Sequence, residues 1–217
     1  MKTPGKQVMT SALTVIVGCA LLTCALGTGC RHAEPRQKDP HPLEAQTYDT
    51  GVLKPLDSSL KVAVGDVAPD FELPAIDGTR VKLSSFRGKS NVLLSFVPAA
   101  WTPVCSSQWP LYDALRETFE LTETRLLGIT TDNTPTQFAW NRAMGGVWFP
   151  ILSDFYPHGQ VAKTYGTLRS DGTSERALFL IDKKGVIRYI DVQNINEQPE
   201  LEPLLEALGK LAPPTAE

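Results

Sequence analysis

Apolar positions follow two regimes along the chain. Residues 8–29 form one long uncharged stretch, whereas beyond Lys61 the apolar runs are short and alternate with charged segments of helical spacing. The second regime reads as a series of elements. Residues 81–83 and 91–97 predict strands, the latter a near-continuous apolar run suited to the centre of a sheet. Residues 106–121 have helical spacing, with a kink expected near the start at Pro110. A strand over 125–130 follows, then a helix over 134–144 with Pro135 at its opening and Gly145-Gly146 at its end. A strand over 149–152 and a short helix over 157–165, closed by Gly166, come next. Strands over 177–181 and 186–190 flank Asp182-Lys183-Lys184-Gly185, a hairpin turn. A terminal amphipathic helix over about 199–211 places Leu201, Leu204, Leu205 and Leu208 on one face, with Pro203 tolerable only in its first turn. Alternating strands and helices that finish in a hairpin predict an α/β fold, a mixed central sheet flanked by helices.

The first regime has a different logic. Lys2 and Lys6 precede the uncharged stretch, which ends at Cys30-Arg31-His32. This is the layout of a secretory signal or a membrane anchor over residues 1–30. A cysteine after a small residue at the end of such a run resembles the bacterial lipoprotein signal, with lipidation expected at Cys30. Cys19 fits the local pattern better, but cleavage there would leave an apolar stretch on the mature chain. An uncleaved span is the other reading, since about 20 apolar residues cross a bilayer. Each version predicts an exported domain held at a membrane. Residues 31–60 are polar, rich in Pro, His, Asp and Gln and without period, and so read as a flexible linker reaching about 30 Å. The folded domain is then residues 61–217.

Charge narrows the partners. The chain carries a net −3, and from Lys61 onward there are 15 basic and 19 acidic residues. No basic stripe suggests nucleic acid. No spaced His/Cys set suggests a metal, no Lys-Ser/Thr follows the paired glycines to make a phosphate loop, and no cofactor is expected.

Of four cysteines, three fall at positions 19, 24 and 30, and Cys105 stands alone beyond them. The strand ending at Phe96-Val97 runs into Pro98-Ala99-Ala100-Trp101-Thr102-Pro103-Val104-Cys105, and a helix pattern follows. Cys105 is therefore expected in a helix's first turn, where free N–H groups and the dipole favour an anion. A thiolate in such a place is reactive.

Pro98, Thr102 and Cys105 fill Pro-x-x-x-Thr-x-x-Cys, and this resembles the signature of the peroxiredoxins. Gly65-Asp66-Val67-Ala68-Pro69-Asp70-Phe71, Ser153-Asp154-Phe155-Tyr156-Pro157-His158-Gly159 and Arg176-Ala177-Leu178-Phe179-Leu180-Ile181-Asp182 resemble flanking blocks of the same family. The resemblance implies a thioredoxin-like fold and a peroxide-reducing thiol. It puts peroxide attack on Cys105, a hydroxyl bond to the reacting atoms on Thr102, electrostatic support on Arg176 and shielding on Pro98. Arg169 is the competing arginine, and Gln108 falls at a commonly polar family position. A partner cysteine sits five residues on in some relatives, where this chain has Pro110. The resemblance therefore implies a one-cysteine cycle with an external thiol or thioredoxin-like reductant, and it allows a homodimer.

Two rival functions share these features. Trp101-Thr102-Pro103-Val104-Cys105 sits in the register of Trp-Cys-x-x-Cys, as in an exported thiol–disulfide oxidoreductase, but Thr102 replaces the first cysteine. A non-catalytic binding module on the same scaffold is the second, since fold alone does not establish activity.

Overall fold

The computed structural model describes residues 43–213. The expected export signal, with Cys19 and Cys30, lies outside the described residues, as do His32 and His41 of the expected linker. No helix among the described residues is long and apolar enough to cross a membrane.

A five-stranded mixed sheet forms the centre. Strand β3 (Asn91–Phe96) is fully buried and lies in the middle. It pairs in parallel with β4 (Thr124–Thr130), which pairs in parallel with β5 (Ile151–Ser153). On its other side β3 pairs antiparallel with β6 (Ala177–Ile181), which continues antiparallel into β7 (Ile187–Val192). Side chains of a strand alternate between faces, and both faces are covered here. Val92, Leu94 and Phe96 enter one apolar cluster while Leu93 enters the other, and Phe179 and Leu180 divide in the same way. That double burial is why β3 and β6 read as unbroken apolar runs.

One face is covered by α1 (Pro103–Leu111), α2 (Arg116–Leu121), α3 (Thr134–Ala143) and α5 (Leu201–Gly209), which bury Trp109, Phe119, Trp140, Leu204 and Leu208. The other is covered by α4 (Gln160–Tyr165) and by a hairpin of β1 (Glu72–Pro74) and β2 (Arg80–Lys82). The single kinked helix expected over 106–121 is instead α1, a 3-10 turn (Tyr112–Leu115) and α2. Pro110 lacks the N–H that would bond four residues back, so the α-helix ends one residue later. Pro203 is the third residue of α5, where an intrahelical partner is absent in any case.

Gly128 of β4 is fixed by packing. A Cβ there would lie 2.7 Å from the Trp109 ring, which rests directly on the strand.

Residues 43–60, expected to be flexible linker, are docked on the domain. Leu43 is buried, the Tyr48 N–H donates to the Trp101 carbonyl (2.6 Å), and the Lys61 N–H donates to the Tyr165 carbonyl (3.1 Å). The chain passes so close to Gly166 that a Cβ there would lie 2.3 Å from the Ser59 carbonyl oxygen. Residues 43–60, the strap, bond to loops rather than to a regular partner, so no period marks them in the sequence.

Candidate active site

The turn after β3 presents Cys105. The Val97 N–H bonds to the Ile129 carbonyl (3.0 Å), keeping the chain in line with the sheet. The Ala100 N–H then donates to Asp132 Oδ2 (2.7 Å), which also accepts from Thr130 Oγ1 (2.8 Å). Trp101 adopts φ 63°, a conformation that costs a non-glycine residue energy and persists when its surroundings hold it. Here the strap supplies part of that hold, through the Tyr48 amide on the Trp101 carbonyl.

Thr102 stands at the N-cap of α1 in extended conformation, and Pro103 opens the helix with its ring-fixed φ. Cys105 is thus the third helical residue, and its side chain is almost fully buried. Thr102 does not cap the helix with its side chain; its hydroxyl donates to the Ala99 carbonyl (3.1 Å). The first-turn amides of Val104 and Cys105 therefore have no side-chain acceptor from the cap.

Arg176, the first residue before β6, reaches the sulfur. Its Nη2 lies 3.6 Å from Cys105 Sγ and also donates to the Ile195 carbonyl (3.0 Å), which accepts from Nε as well (3.3 Å). Nη1 donates to Gln108 Oε1. The Gln108 amide is oriented by Nε2 donating to Tyr112 Oη (3.0 Å), and Trp109 Nε1 donates to Ser95 Oγ behind it (3.1 Å). Burial pushes the Tyr112 phenol up to about 12, so it remains a neutral acceptor for Gln108. Arg176 is 2% exposed, and among the described residues no carboxylate forms an ion pair with it. A buried guanidinium without a counter-charge is costly. The sulfur, or an oxyanion formed beside it, is the group placed to supply one.

Arg169 is engaged elsewhere. Its Nη1 meets Glu175 Oε2 at 2.7 Å with both groups buried, and its Nη2 donates to the Lys54 carbonyl (2.9 Å). The second Glu175 oxygen accepts the Asp57 N–H (2.6 Å), so this ion pair fastens the strap. Asn196 adds a two-way clasp, accepting from the Leu53 N–H and donating to the Leu53 carbonyl (both 2.9 Å).

These parts enclose a cleft of about 480 Å³ over Cys105. Arg176 lies with the sulfur, Thr102 shares the lining, and Pro98, Val104 and Ile195 give apolar walls. Residues 49–53 of the strap complete the lining, and exposed Asp49 and Asp171 stand at the rim. Burial opposes ionisation of Asp171, but the Thr173 hydroxyl and amide and the Arg169 guanidinium hold its carboxyl below the usual range. The structure thus brings together Cys105, Thr102, Arg176 and Pro98, with Gln108 one step behind. Missing from the sequence reading are the Ile195 carbonyl, Tyr112, Asn196 and the strap. A backbone acceptor leaves no side-chain signature, and the strap reads as polar linker. No group of three or more His, Cys, Asp or Glu residues among the described residues could hold a metal.

The chain matches the AhpC/TSA family model over residues 64–190. It is 37% identical over 150 residues to alkyl hydroperoxide reductase E of Mycobacterium tuberculosis, covering 68% of this chain and 97% of that protein. Against the chloroplastic 2-Cys peroxiredoxin of Hordeum vulgare it is 32% identical over 158 residues, covering 68% and 74% respectively. Among solved structures, the reduced 2-Cys peroxiredoxin of Plasmodium vivax is similar with TM-score 0.63 and 32% identity, over 68% of this chain and 81% of that one. The common fold is thioredoxin-like.

Proposed function

Because the chain belongs to the AhpC/TSA family, the peroxiredoxins, and is a thiol-dependent peroxidase, we propose that it reduces hydrogen peroxide or alkyl hydroperoxides through a one-cysteine cycle on Cys105. The observation that carries this is the buried Arg176 with its Nη2 3.6 Å from a buried Cys105 Sγ and no carboxylate partner among the described residues.

The ionised sulfur attacks the outer peroxide oxygen. An S–O bond forms as the O–O bond breaks; the departing alkoxide or hydroxide takes a proton and leaves as alcohol or water. Sulfur is oxidised by two electrons to a sulfenic acid, and the peroxide is reduced by the same two. An ordinary thiol is about 3% ionised at neutral pH, so full ionisation gains only roughly 30-fold. The larger share must come from orienting the peroxide and stabilising charge on its oxygens. Arg176 and the first-turn amides are the donors for that, the Thr102 hydroxyl can join them only by turning its proton away from the Ala99 carbonyl, and Pro98 shields the site from water.

Cys105 is the one cysteine among the described residues. An external thiol then attacks the sulfenic sulfur, releasing water and leaving a mixed disulfide. A second thiol restores Cys105 and departs as disulfide. The pattern of residues 1–30 supports, within the same proposal, export and tethering at Cys30, so that the reductant acts outside the cytoplasm.

Peroxide consumption by the purified protein with dithiothreitol tests this reading against both rivals. Cys105→Ser is expected to abolish the catalysed rate; equal rates in the two proteins would sink it.

A further inference from the structure

We propose that residues 49–53 of the strap, with Val52 at their centre, form the specificity wall of the cleft, selecting hydroperoxides with an uncharged apolar substituent over hydrogen peroxide. The inference rests on the peroxidase reading above and assigns a specificity role to a segment that precedes the family match at residue 64.

Hydrogen peroxide is about the size of two waters. The cleft, at about 480 Å³, lies in the range of sites that hold organic ligands. Most of it has no role in binding hydrogen peroxide alone.

The polar donor at the sulfur is Arg176, while Val52, Leu53, Pro98, Val104 and Ile195 make the remaining lining largely apolar. A peroxide whose O–O bond reaches Sγ must project its substituent away from the sulfur, along those apolar walls. Covering Val52, which is 93% exposed, removes apolar surface from water. Asp49 and Asp171 in the lining disfavour an anionic substituent by like-charge repulsion, Asp171 the less because Arg169 Nε lies 3.5 Å from it.

The wall is also held in place. Tyr48 is bonded to Trp101 on one side, and Leu53 is clasped twice by Asn196 on the other. Between them the Gly51 N–H donates to Asp49 Oδ1 (2.8 Å), with Gly51 at φ +65°, closing a tight turn that presents Val52. A wall anchored at both ends meets its ligand with little ordering cost.

The test compares kcat/KM for cumene hydroperoxide with that for hydrogen peroxide in the full chain. Variants Val52→Asp and Val52→Leu are checked for unchanged circular dichroism and thermal midpoint. Loss of one apolar contact in a pocket changes discrimination by about 10-fold or more. Val52→Asp is therefore expected to lower the cumene-to-hydrogen peroxide ratio at least ~10-fold, and Val52→Leu to hold or raise it. A ratio unchanged in Val52→Asp, or equal loss for both peroxides, overturns the wall while leaving the peroxidase reading intact. No Cys105-dependent consumption of either peroxide by the unsubstituted protein overturns both.

Discussion

Replacing Arg176 by Met removes one charge and every donor it directs, and the structure sets what should follow. Arg176 Nη2 stands 3.6 Å from Cys105 Sγ. A unit charge pair at that separation, with an effective dielectric near 20, is worth about 4–5 kcal/mol before desolvation is subtracted. Losing a single preorganised donor to a developing oxyanion costs about 10²–10³ in rate. The two figures agree in scale, so Arg176→Met is expected to slow oxidation of Cys105 by roughly 10²–10³-fold. Stability should respond less. The Ile195 carbonyl and Gln108 Oε1 lose their donor, at about 1–3 kcal/mol each, but the penalty of burying an unpaired guanidinium disappears. Arg176→Lys keeps the charge without the planar fork that serves Ile195, Gln108 and the sulfur together, so its rate should fall between the two. Stopped-flow tryptophan fluorescence reads the oxidation step, with Cys105→Ser as the control that should show no transient. A folded Arg176→Met protein within about threefold of the unsubstituted rate would show that no charge at the sulfur is needed.

Three further outcomes follow from the packing and charge. Asn196→Ala removes both bonds to Leu53, each worth about 0.5–1.5 kcal/mol net, and should speed amide exchange of Leu53 and proteolysis in residues 48–57; unchanged exchange would mean that the clasp does not hold the strap. Gly128→Ala pushes a methyl to within 2.7 Å of the Trp109 ring and should cost about 1–3 kcal/mol by denaturant titration; an unchanged midpoint would show that the ring yields freely. For Asp182, burial alone would raise the carboxyl, but the Val186 amide, the Arg188 guanidinium and the Lys184 amide hold it below the usual range. A folded value below the unfolded one of about 3.9 contributes stability above that pH, which is lost as pH falls through the folded value. Asp182→Asn should therefore flatten the fall of Tm on acidification below about pH 4, and an identical acid slope in the two proteins would contradict the assignment.

The sheet was legible because burial on both faces writes itself into the chain as the apolar runs of β3 and β6. The place of Cys105 was legible too, since a buried strand, a Pro-Thr-Pro turn and a helix pattern follow one another without a gap. What escaped the sequence depends on contacts between distant segments. Arg176 owes its orientation to the carbonyl of Ile195 and the amide of Gln108, which no spacing connects. The strap has the composition of a linker, yet Leu53, Lys54 and Asp57 find partners on Asn196, Arg169 and Glu175 more than a hundred residues away. The short hairpin strand β1 carries Pro74 and too few residues to show an alternation, so it leaves no strand signal, unlike β2.

In the proposed cycle Cys105 takes one oxygen from peroxide and waits for an external thiol. Intact-mass and peptide analysis of the full chain after one equivalent of peroxide, with a sulfenic-acid trap present, tests it most directly. The expected product carries a single added oxygen at Cys105 without the trap, or one trap adduct there in its place with the oxygen lost as water, and that residue is in no disulfide. A disulfide joining Cys105 to Cys19, Cys24 or Cys30, or oxygen found elsewhere with Cys105 unmodified, would contradict it.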